Sequence, residues 1–456
     1  MSFTSVTRSS LILLMCLVSL CHWGSSAIAD DVPGLALPAT DEGLPGAGPI
    51  RRYDWFKSLW TERRSVWAKQ IEQDQKAVVF LGDSITQGWG DDLHGAFPGL
   101  KVANRGISGD TTRGMLIRLE NDVLALHPSA VVMLMGTNDL EEKAEPQVIA
   151  DNVKLIVDEL RKHNPEMPIV LCQVFPSSAS KSRPADKIKQ INQLCAKAVR
   201  GDAMITVLDT WTLFANEQGD AKAEEMPDLL HPNAAGYVKW AGALRPILAT
   251  LGLIETEADE FQPEAGFESL FNGKDLTGWG FRVTPEKSRE GARKWMAGDP
   301  GVSWPFVDEP ISFDGKTVTP EGRYLAKNGR LVVTTPPEGR KIQQLYTTRD
   351  FTGDFTLKLE FRATPNADSG VFLLDPQLQC RDFPLAGPYK ELKNFKSGDW
   401  NELIVVAKGG AAHCTCNGEV IEDAFKLPAS GGPIGLEGDR GQMEYRRIRI
   451  HLGNGK

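Results

Sequence analysis

Five short apolar runs punctuate the first half of the chain, at residues 77–81, 100–103, 130–135, 169–174 and 204–208. They are rich in Val, Ile and Leu and do not alternate cleanly with polar residues, the pattern of strands buried on both faces. Between them apolar positions recur at helical spacing, over residues 111–126, 147–163 and 186–199, and a last helix is expected from Ala234 to about Thr250. Upstream, Phe56, Leu59, Trp60, Trp67 and Ile71 fall on one helical face, so a helix is expected to pack on the first domain. Strand–helix alternation predicts a parallel sheet with right-handed crossovers. From Gly266 onward the texture changes to short alternating runs, at residues 330–334, 355–361, 370–373, 402–407, 412–416 and 445–451. Turn residues separate them, among them Lys327-Asn328-Gly329, Asn417-Gly418 and Gly431-Gly432-Pro433. Many short strands with regular turns predict a sandwich or jelly roll. Residues 285–320 show no periodicity and are expected to form a long loop.

The ends and joints follow from composition. Arg8, an apolar stretch from Leu11 to Leu20 and Ala27-Ile28-Ala29 form a basic start, a hydrophobic region and a small-residue cleavage site. That is the signature of a secretory signal peptide over residues 1–29, cut after Ala29. Cys21, His22 and Gly24 interrupt the run short of the roughly 20 apolar residues that a membrane span needs. Cleavage would leave a secreted or periplasmic protein without a membrane span. Residues 30–50, rich in Pro, Gly and Ala, are expected to be a flexible leader. The α/β domain then covers 51–254, an acidic linker 255–265, and the all-β domain 266–456.

Lys and Arg number 51 against 60 Asp and Glu, a formal charge of −9. With no basic run, nucleic acid is excluded as a partner class. The five cysteines after the leader (Cys172, Cys195, Cys380, Cys414, Cys416) show no metal-ligand spacing. Buried thiols account for them, with one disulfide to Cys380 conceivable. No cofactor and no metal is called for.

The candidate chemistry begins at Gly82-Asp83-Ser84-Ile85-Thr86, directly after the first apolar run. A serine where a buried strand turns into a helix is well placed to be a nucleophile, although Asp and Ser are also ordinary helix caps. Three later segments raise the odds: Asn104-Arg105-Gly106-Ile107-Ser108-Gly109-Asp110, Gly136-Thr137-Asn138-Asp139, and Asp228-Leu229-Leu230-His231-Pro232-Asn233. The first three blocks follow strands one to three and the last lies beyond the fifth. Open parallel sheets bind ligands along that carboxyl edge, at the switch point between the first and third strands. The spacing Asp228-x-x-His231 lets a carboxylate reach the imidazole within one turn, hold its tautomer and stabilise the imidazolium. Asp209, after the fifth strand, is the rival acid, though loop amides are its expected partners. His94 and His127 read as loop positions. Asp110 is expected to cap the helix beginning at Thr111, while Asp83 and Asp139 brace the loops.

In this order the four blocks resemble those of the SGNH (GDSL-type) hydrolase family. The resemblance implies a flavodoxin-like three-layer fold with a five-stranded parallel sheet of order 2-1-3-4-5. It implies Ser84, His231 and Asp228 as catalytic residues, with an oxyanion hole made by the Ser84 and Gly109 backbone N–H groups and the Asn138 amide. For Gly109 an ordinary turn glycine is the alternative reading. Within the family the blocks look most like the platelet-activating-factor acetylhydrolase and carbohydrate acetylesterase branch.

The second half resembles the 3-keto-disaccharide hydrolase-like domains, which have a concanavalin-like jelly roll. The resemblance is carried by Gly266-Phe267-Glu268-Ser269-Leu270-Phe271-Asn272-Gly273-Lys274-Asp275-Leu276-Thr277-Gly278-Trp279, Asp368-Ser369-Gly370-Val371-Phe372, Gly398-Asp399-Trp400-Asn401-Glu402 and Gly435-Leu436-Glu437. The chain departs from that pattern at Gln377-Leu378-Gln379-Cys380-Arg381-Asp382, so binding ranks above catalysis there. Phe372, Tyr389 and Trp400 are the aromatics considered for sugar stacking, with core packing as the alternative. Together these readings describe an exported serine esterase acting on short-chain, acetyl-type esters of carbohydrate. Two alternatives stand beside it: a bifunctional enzyme whose second domain is a glycosidase, and a glycan-binding protein with a non-catalytic first domain.

Overall fold

The structure, a computed structural model, describes residues 34–256, 259, 261–299 and 301–453; the expected signal peptide lies outside them. Strands β1 (Val78–Gly82), β2 (Val102–Gly106), β3 (Ala130–Leu134), β4 (Ile169–Cys172) and β5 (Ile205–Leu208) form one parallel sheet in the order β2-β1-β3-β4-β5. The missing alternation is explained by two cores. Val79, Leu81, Val131, Met133, Ile169 and Leu171 face one apolar layer, whereas Val78, Phe80, Val132, Leu134 and Val170 face the other. Helices Pro146–His163 and Ala185–Ala198 cover the first layer, and helix Ala234–Thr250 with Trp89, Phe175 and Phe214 covers the second. Helix Asp54–Ala68 buries Phe56, Trp60 and Trp67 in a satellite cluster with Ile107.

Three expectations about the first half are corrected. Strand β2 ends at Gly106 rather than Ala103. Its last residues are polar yet buried, because Asn104 Nδ2 donates to Thr86 O at 2.7 Å and Arg105 Nη2 pairs with Asp74 at 2.6 Å. Apolar-run reading misses a strand end of this kind. The helix expected over 111–126 is three short pieces, Thr112–Ile117, Leu119–Asp122 and Leu124–Leu126. The break falls at Arg118, whose fully buried guanidinium reaches Asp110 at 2.8 Å and the carbonyl of Arg105 at 2.8 Å. The segment expected to be a flexible leader is, from Gly34 to residue 50, strapped onto the domain. Trp60 Nε1 donates to Leu35 O (3.0 Å), Ala47 N to Asn152 Oδ1 (3.1 Å) and Thr111 Oγ1 to Pro49 O (2.8 Å). Composition hid this because the strap packs few apolar side chains, Leu35 and Leu37, and is held mainly by its backbone groups and by the ion pairs of Asp41.

The second half packs two antiparallel sheets over one apolar core. One contains Phe355–Ala363, whose residues alternate strictly between core and solvent side, flanked by Asn401–Lys408 and Met443–Leu452. The other contains Gly370–Leu373, Ile434–Gly438 and Gln343–Thr347. This is the expected all-β sandwich. The expected loop over 285–320 instead carries a helix, Glu286–Gly298, followed by strands Val302–Ser303 and Ile311–Ser312. Only Ala292 of that helix is buried, so it has no apolar stripe to betray it. Arg289 and Arg293 lie over Phe306, and Arg340 lies 4.6 Å over the Trp295 ring. The five cysteines among the described residues are buried and free, without the disulfide to Cys380.

The joint is pinned by ion pairs. Arg447 meets Asp259 at 2.9 Å and Arg449 meets Glu264 at 2.5 Å. Gln442 Nε2 donates to Pro246 O at 3.1 Å, and Asn366 Nδ2 donates to Asp209 Oδ2 at 2.7 Å.

Candidate active site

Strand β1 ends at Gly82, and the chain turns at once into the short helix Ser84–Gln87. A Cβ on Gly82 would lie 2.1 Å from Thr86 Oγ1 and 2.7 Å from Leu134 O, so only glycine permits a turn this tight. Asp83 caps the helix by accepting from Ile85 N at 2.9 Å, which presents the half-buried Ser84 at the sheet edge. His231 arrives from the other side of the site, in the loop before helix Ala234–Thr250. Asn233 caps that helix by accepting from Gly236 N at 3.0 Å.

The three side chains meet. His231 Nε2 lies 2.9 Å from Ser84 Oγ, and His231 Nδ1 lies 2.7 Å from Asp228 Oδ2. Asp228 Oδ1 also accepts from the backbone N–H groups of His231 (2.7 Å) and Leu230 (3.0 Å). Burial opposes the Asp228 charge, but these hydrogen bonds outweigh it and hold the carboxyl below its ordinary range. The imidazole and carboxylate are 42% and 47% exposed, so solvent screens their attraction. What the pair supplies is orientation. A carboxylate on Nδ1 fixes the tautomer whose Nε2 accepts the Ser84 proton.

The residues expected to form an oxyanion hole sit on the neighbouring strand ends. Asn138 sits in helix Thr137–Glu141, after Gly136 at φ +115°. Its Nδ2 donates to Asp110 O at 3.0 Å, leaving the second N–H of that amide as a donor for a bound oxyanion. Gly109 has φ +87°, and a Cβ there would meet the Trp55 ring at 2.6 Å. Both facts demand glycine.

Asp83, Asp110 and Asp139 are wholly buried beneath these loops, and burial pushes their carboxyls up to about 6, 7 and 6. Asp139 accepts from Thr112 N (3.0 Å) and Thr112 Oγ1 (2.6 Å), and so ties two of the loops together. Asp110 does not cap the helix at Thr112 as expected. The Thr111 hydroxyl caps it, accepting from Gly114 N at 3.2 Å, while Asp110 pairs with Arg118. Between pH 3.8 and about 6 the folded chain holds more proton at Asp83 than the unfolded chain does. Stability from this residue therefore falls as pH rises through that window. Asp83→Asn keeps the acceptor for Ile85 N and is expected to flatten that slope in melting curves recorded from pH 4 to 7; an unchanged slope would exclude Asp83 as its source.

The remaining candidates lie elsewhere. Asp209 caps helix Thr210–Phe214 through Thr212 N at 2.8 Å and takes the bond from Asn366, as a loop-binding acid would. His94 packs its ring 6.2 Å from that of Tyr237, and His127 Nδ1 sits 3.3 Å from His163 Nε2. Among the described residues no cluster of three or more His, Cys, Asp or Glu could hold a metal ion.

Three residues at the site escaped sequence reading. Arg183 Nη2 donates to Asn138 Oδ1 (3.2 Å) and to Glu141 Oε2 (2.8 Å), and its Nε donates to Thr137 O (3.1 Å). It thus prevents the Asn138 amide from flipping. Arg51 joins the same Glu141 and reaches Glu142 at 2.7 Å, and Trp55 lies against Gly109. Nothing in the sequence marks these roles: Arg183 follows a Ser- and Lys-containing loop and reads as solvated, and Arg51 and Trp55 precede every motif. Asn138→Ala is expected to lower kcat/KM by about 10²–10³. Arg183→Met, which leaves the amide free to turn, is expected to lower kcat by about tenfold to 10² with little change in KM. Steady-state kinetics on one soluble ester checks both, and an unaltered kcat in Arg183→Met would remove the positioning role.

Comparison with known proteins finds a match in each half of the chain. Residues 80–239 match the GDSL-like lipase/acylhydrolase family, and residues 266–451 match the 3-keto-alpha-glucoside-1,2-lyase-like domain. The chain is similar to human platelet-activating factor acetylhydrolase IB subunit alpha2, 28% identical over 210 residues that span 44% of this chain and 88% of that protein. The rat alpha1 subunit is 29% identical over 199 residues, spanning 42% and 83% of the two chains. A solved structure of a catalytic mutant of an acetylxylan esterase from Geobacillus stearothermophilus superposes with a TM-score of 0.33 at 22% identity, covering 40% of this chain and 97% of that one. No helix among the described residues is long and apolar enough to cross a membrane. The chain thus joins a domain of the GDSL-like lipase/acylhydrolase family to a 3-keto-alpha-glucoside-1,2-lyase-like domain, and it is a carboxylic ester hydrolase.

Proposed function

We propose that this esterase works through an acyl-enzyme on Ser84 and removes short acyl groups, acetyl foremost, from carbohydrate. The observation that carries the mechanism is the continuous relay from Ser84 Oγ to His231 (2.9 Å) to Asp228 (2.7 Å). Ser84 Oγ attacks the ester carbonyl as its proton passes to His231 Nε2, and Asp228 stabilises the imidazolium. The Ser84 and Gly109 N–H groups and the Asn138 amide receive the negative oxygen. Collapse breaks the bond to the alcohol, which leaves with the proton from His231. Water, deprotonated by the same imidazole, then hydrolyses the acyl-serine and restores the enzyme.

The acetyl preference is supported by the relatives, which are named acetylhydrolases. The carbohydrate assignment is supported by the attached domain, similar to one named for an alpha-glucoside lyase. The leader pattern in residues 1–29 supports export, secreted or periplasmic, and the division into domains at 51–254 and 266–456 fits a tethered second module. Tethering would raise the local concentration of a polymeric substrate without new contacts at Ser84. The test is a panel of acetyl, butyryl and octanoyl esters with acetylated xylan, run beside Ser84→Ala. Acetate release from the glycan is expected; preference for octanoyl esters with none released would reject the substrate assignment.

One observation favours a second activity as well. Glu437, buried on strand Ile434–Gly438, is pushed up to about 7 by burial and by Asp439, and Gln377 Nε2 donates to it. A carboxyl protonated near neutrality is suited to general-acid work. Cleavage of a keto-glycoside by Ser84→Ala protein, lost in Glu437→Gln, would establish it.

A further inference from the structure

Resting on the esterase reading above, we propose that Trp55, with Tyr53 beside it, is the platform on which the sugar carrying the scissile ester lies. The two rings are the only aromatics among the large hydrophobic side chains left exposed in the described residues, at 53% for Tyr53 and 52% for Trp55. Their planes are within 10° of parallel with centroids 6.2 Å apart, so they form an offset aromatic stack open to solvent as one surface. That surface is not remote from the chemistry. The six-membered ring of Trp55 abuts Gly109: a Cβ on that glycine would lie 2.6 Å from Cη2 and 3.3 Å from Cζ3. Gly109 in turn belongs to the loop that leaves β2 and packs on the nucleophile turn, with Ile107 N donating to Gly82 O at 3.2 Å and Ser108 N to Gln87 Oε1 at 2.6 Å.

The fold itself does not need these rings outside. Helix Asp54–Ala68 packs through Phe56, Trp60 and Trp67 on its other face. Leaving a large aromatic half in water forgoes part of its burial energy, and such a surface rimmed by polar groups marks a binding site. The rim is present. Glu142, 3.4 Å from the Tyr53 hydroxyl, and that hydroxyl itself offer an acceptor and a donor beside an apolar face. A pyranose ring has this complementary character, with apolar C–H faces and hydroxyl edges. The aromatics of the second half considered for this task are already occupied. Trp400 lies under the Arg446 guanidinium at 4.0 Å, Tyr389 packs on Phe383 and donates to Glu422 at 2.6 Å, and Phe372 packs on Tyr346. Residues 53 and 55 lie outside the segment 80–239 that matches the hydrolase family.

The experiment compares kcat/KM for acetylated xylooligosaccharide with kcat/KM for vinyl acetate, an ester with no ring to stack, in full-length wild type, Trp55→Ala and Trp55→Phe. The ratio is expected to fall about five- to tenfold in Trp55→Ala, mainly through KM on the oligosaccharide, and to recover in Trp55→Phe. Equal losses on both substrates would overturn the proposal, since Trp55 would then only hold the Gly109 loop. A selective loss on long-acyl or lipid-dispersed esters would overturn it in favour of a lipid-facing role. To separate binding from turnover and from loss of fold, xylooligosaccharide binding is also followed by tryptophan fluorescence in Ser84→Ala protein. Quenching that disappears in Ser84→Ala/Trp55→Ala supports the platform, and quenching that persists contradicts it. If Ser84→Ala retained vinyl acetate hydrolysis, the esterase assignment itself would fail, separately from the platform.

Discussion

In Ser84→Ala protein, hydrolysis of acetyl esters is expected to drop by on the order of 10⁴–10⁶ while the fold is retained. Ser84 is half-buried, and its side chain contributes one hydrogen bond, to His231. Removing it at an open site is expected to change stability by no more than about 0.5 kcal/mol. The activity effect is large because every covalent step passes through that oxygen. His231→Ala is expected to cost nearly as much, and the double variant hardly more than either, because residues acting as one unit are not additive. Activity within tenfold of wild type in folded Ser84→Ala protein would refute the role given to Ser84.

The largest stability effect is expected at Arg118. Its side chain is wholly buried, pairs with Asp110 at 2.8 Å, lies 3.6 Å from Asp122, and donates to the carbonyl of Arg105 at 2.8 Å. Arg118→Met would strand the Asp110 carboxylate in the interior, which typically destabilises by about 3–5 kcal/mol. Asp110 follows Gly109 and accepts from the Asn138 amide, so loss of this anchor should also loosen the oxyanion side before global unfolding. Replacing both partners, as in Arg118→Met/Asp110→Asn, should recover part of the loss, because no unpaired charge remains. Urea unfolding of the three variants measures this; an Arg118→Met variant as stable as wild type would show that the pair does not anchor the loop.

These two residues illustrate what was legible in the sequence. Ser84, His231 and Asp228 could be named because each lies within a compact block, and because a parallel sheet collects its strand ends at one edge. Strand order followed once those blocks suggested the fold, and burial on both faces was visible in the unbroken Val, Ile and Leu runs. The supporting groups were hidden for physical reasons. Arg118, Arg105 and Arg183 are charged side chains in the interior, Arg105 and Arg183 with partners far away in sequence and Arg118 with Asp110 and the carbonyl of Arg105, so hydropathy reads them as surface. Helix Glu286–Gly298 buries almost nothing, and the strap from Gly34 is fixed through backbone carbonyls, so neither leaves an apolar period. Trp55 is silent for the converse reason: its neighbours carry the helical face, and its own exposure has no sequence signal.

Stoichiometric labelling of the wild-type enzyme with a fluorophosphonate, followed by peptide mapping, tests the central claim most directly. The account predicts one phosphonyl group per chain, on Ser84, with esterase activity lost in parallel with labelling and no label on the Ser84→Ala protein. Full inactivation with Ser84 unmodified, or undiminished turnover in protein fully labelled at Ser84, would contradict it.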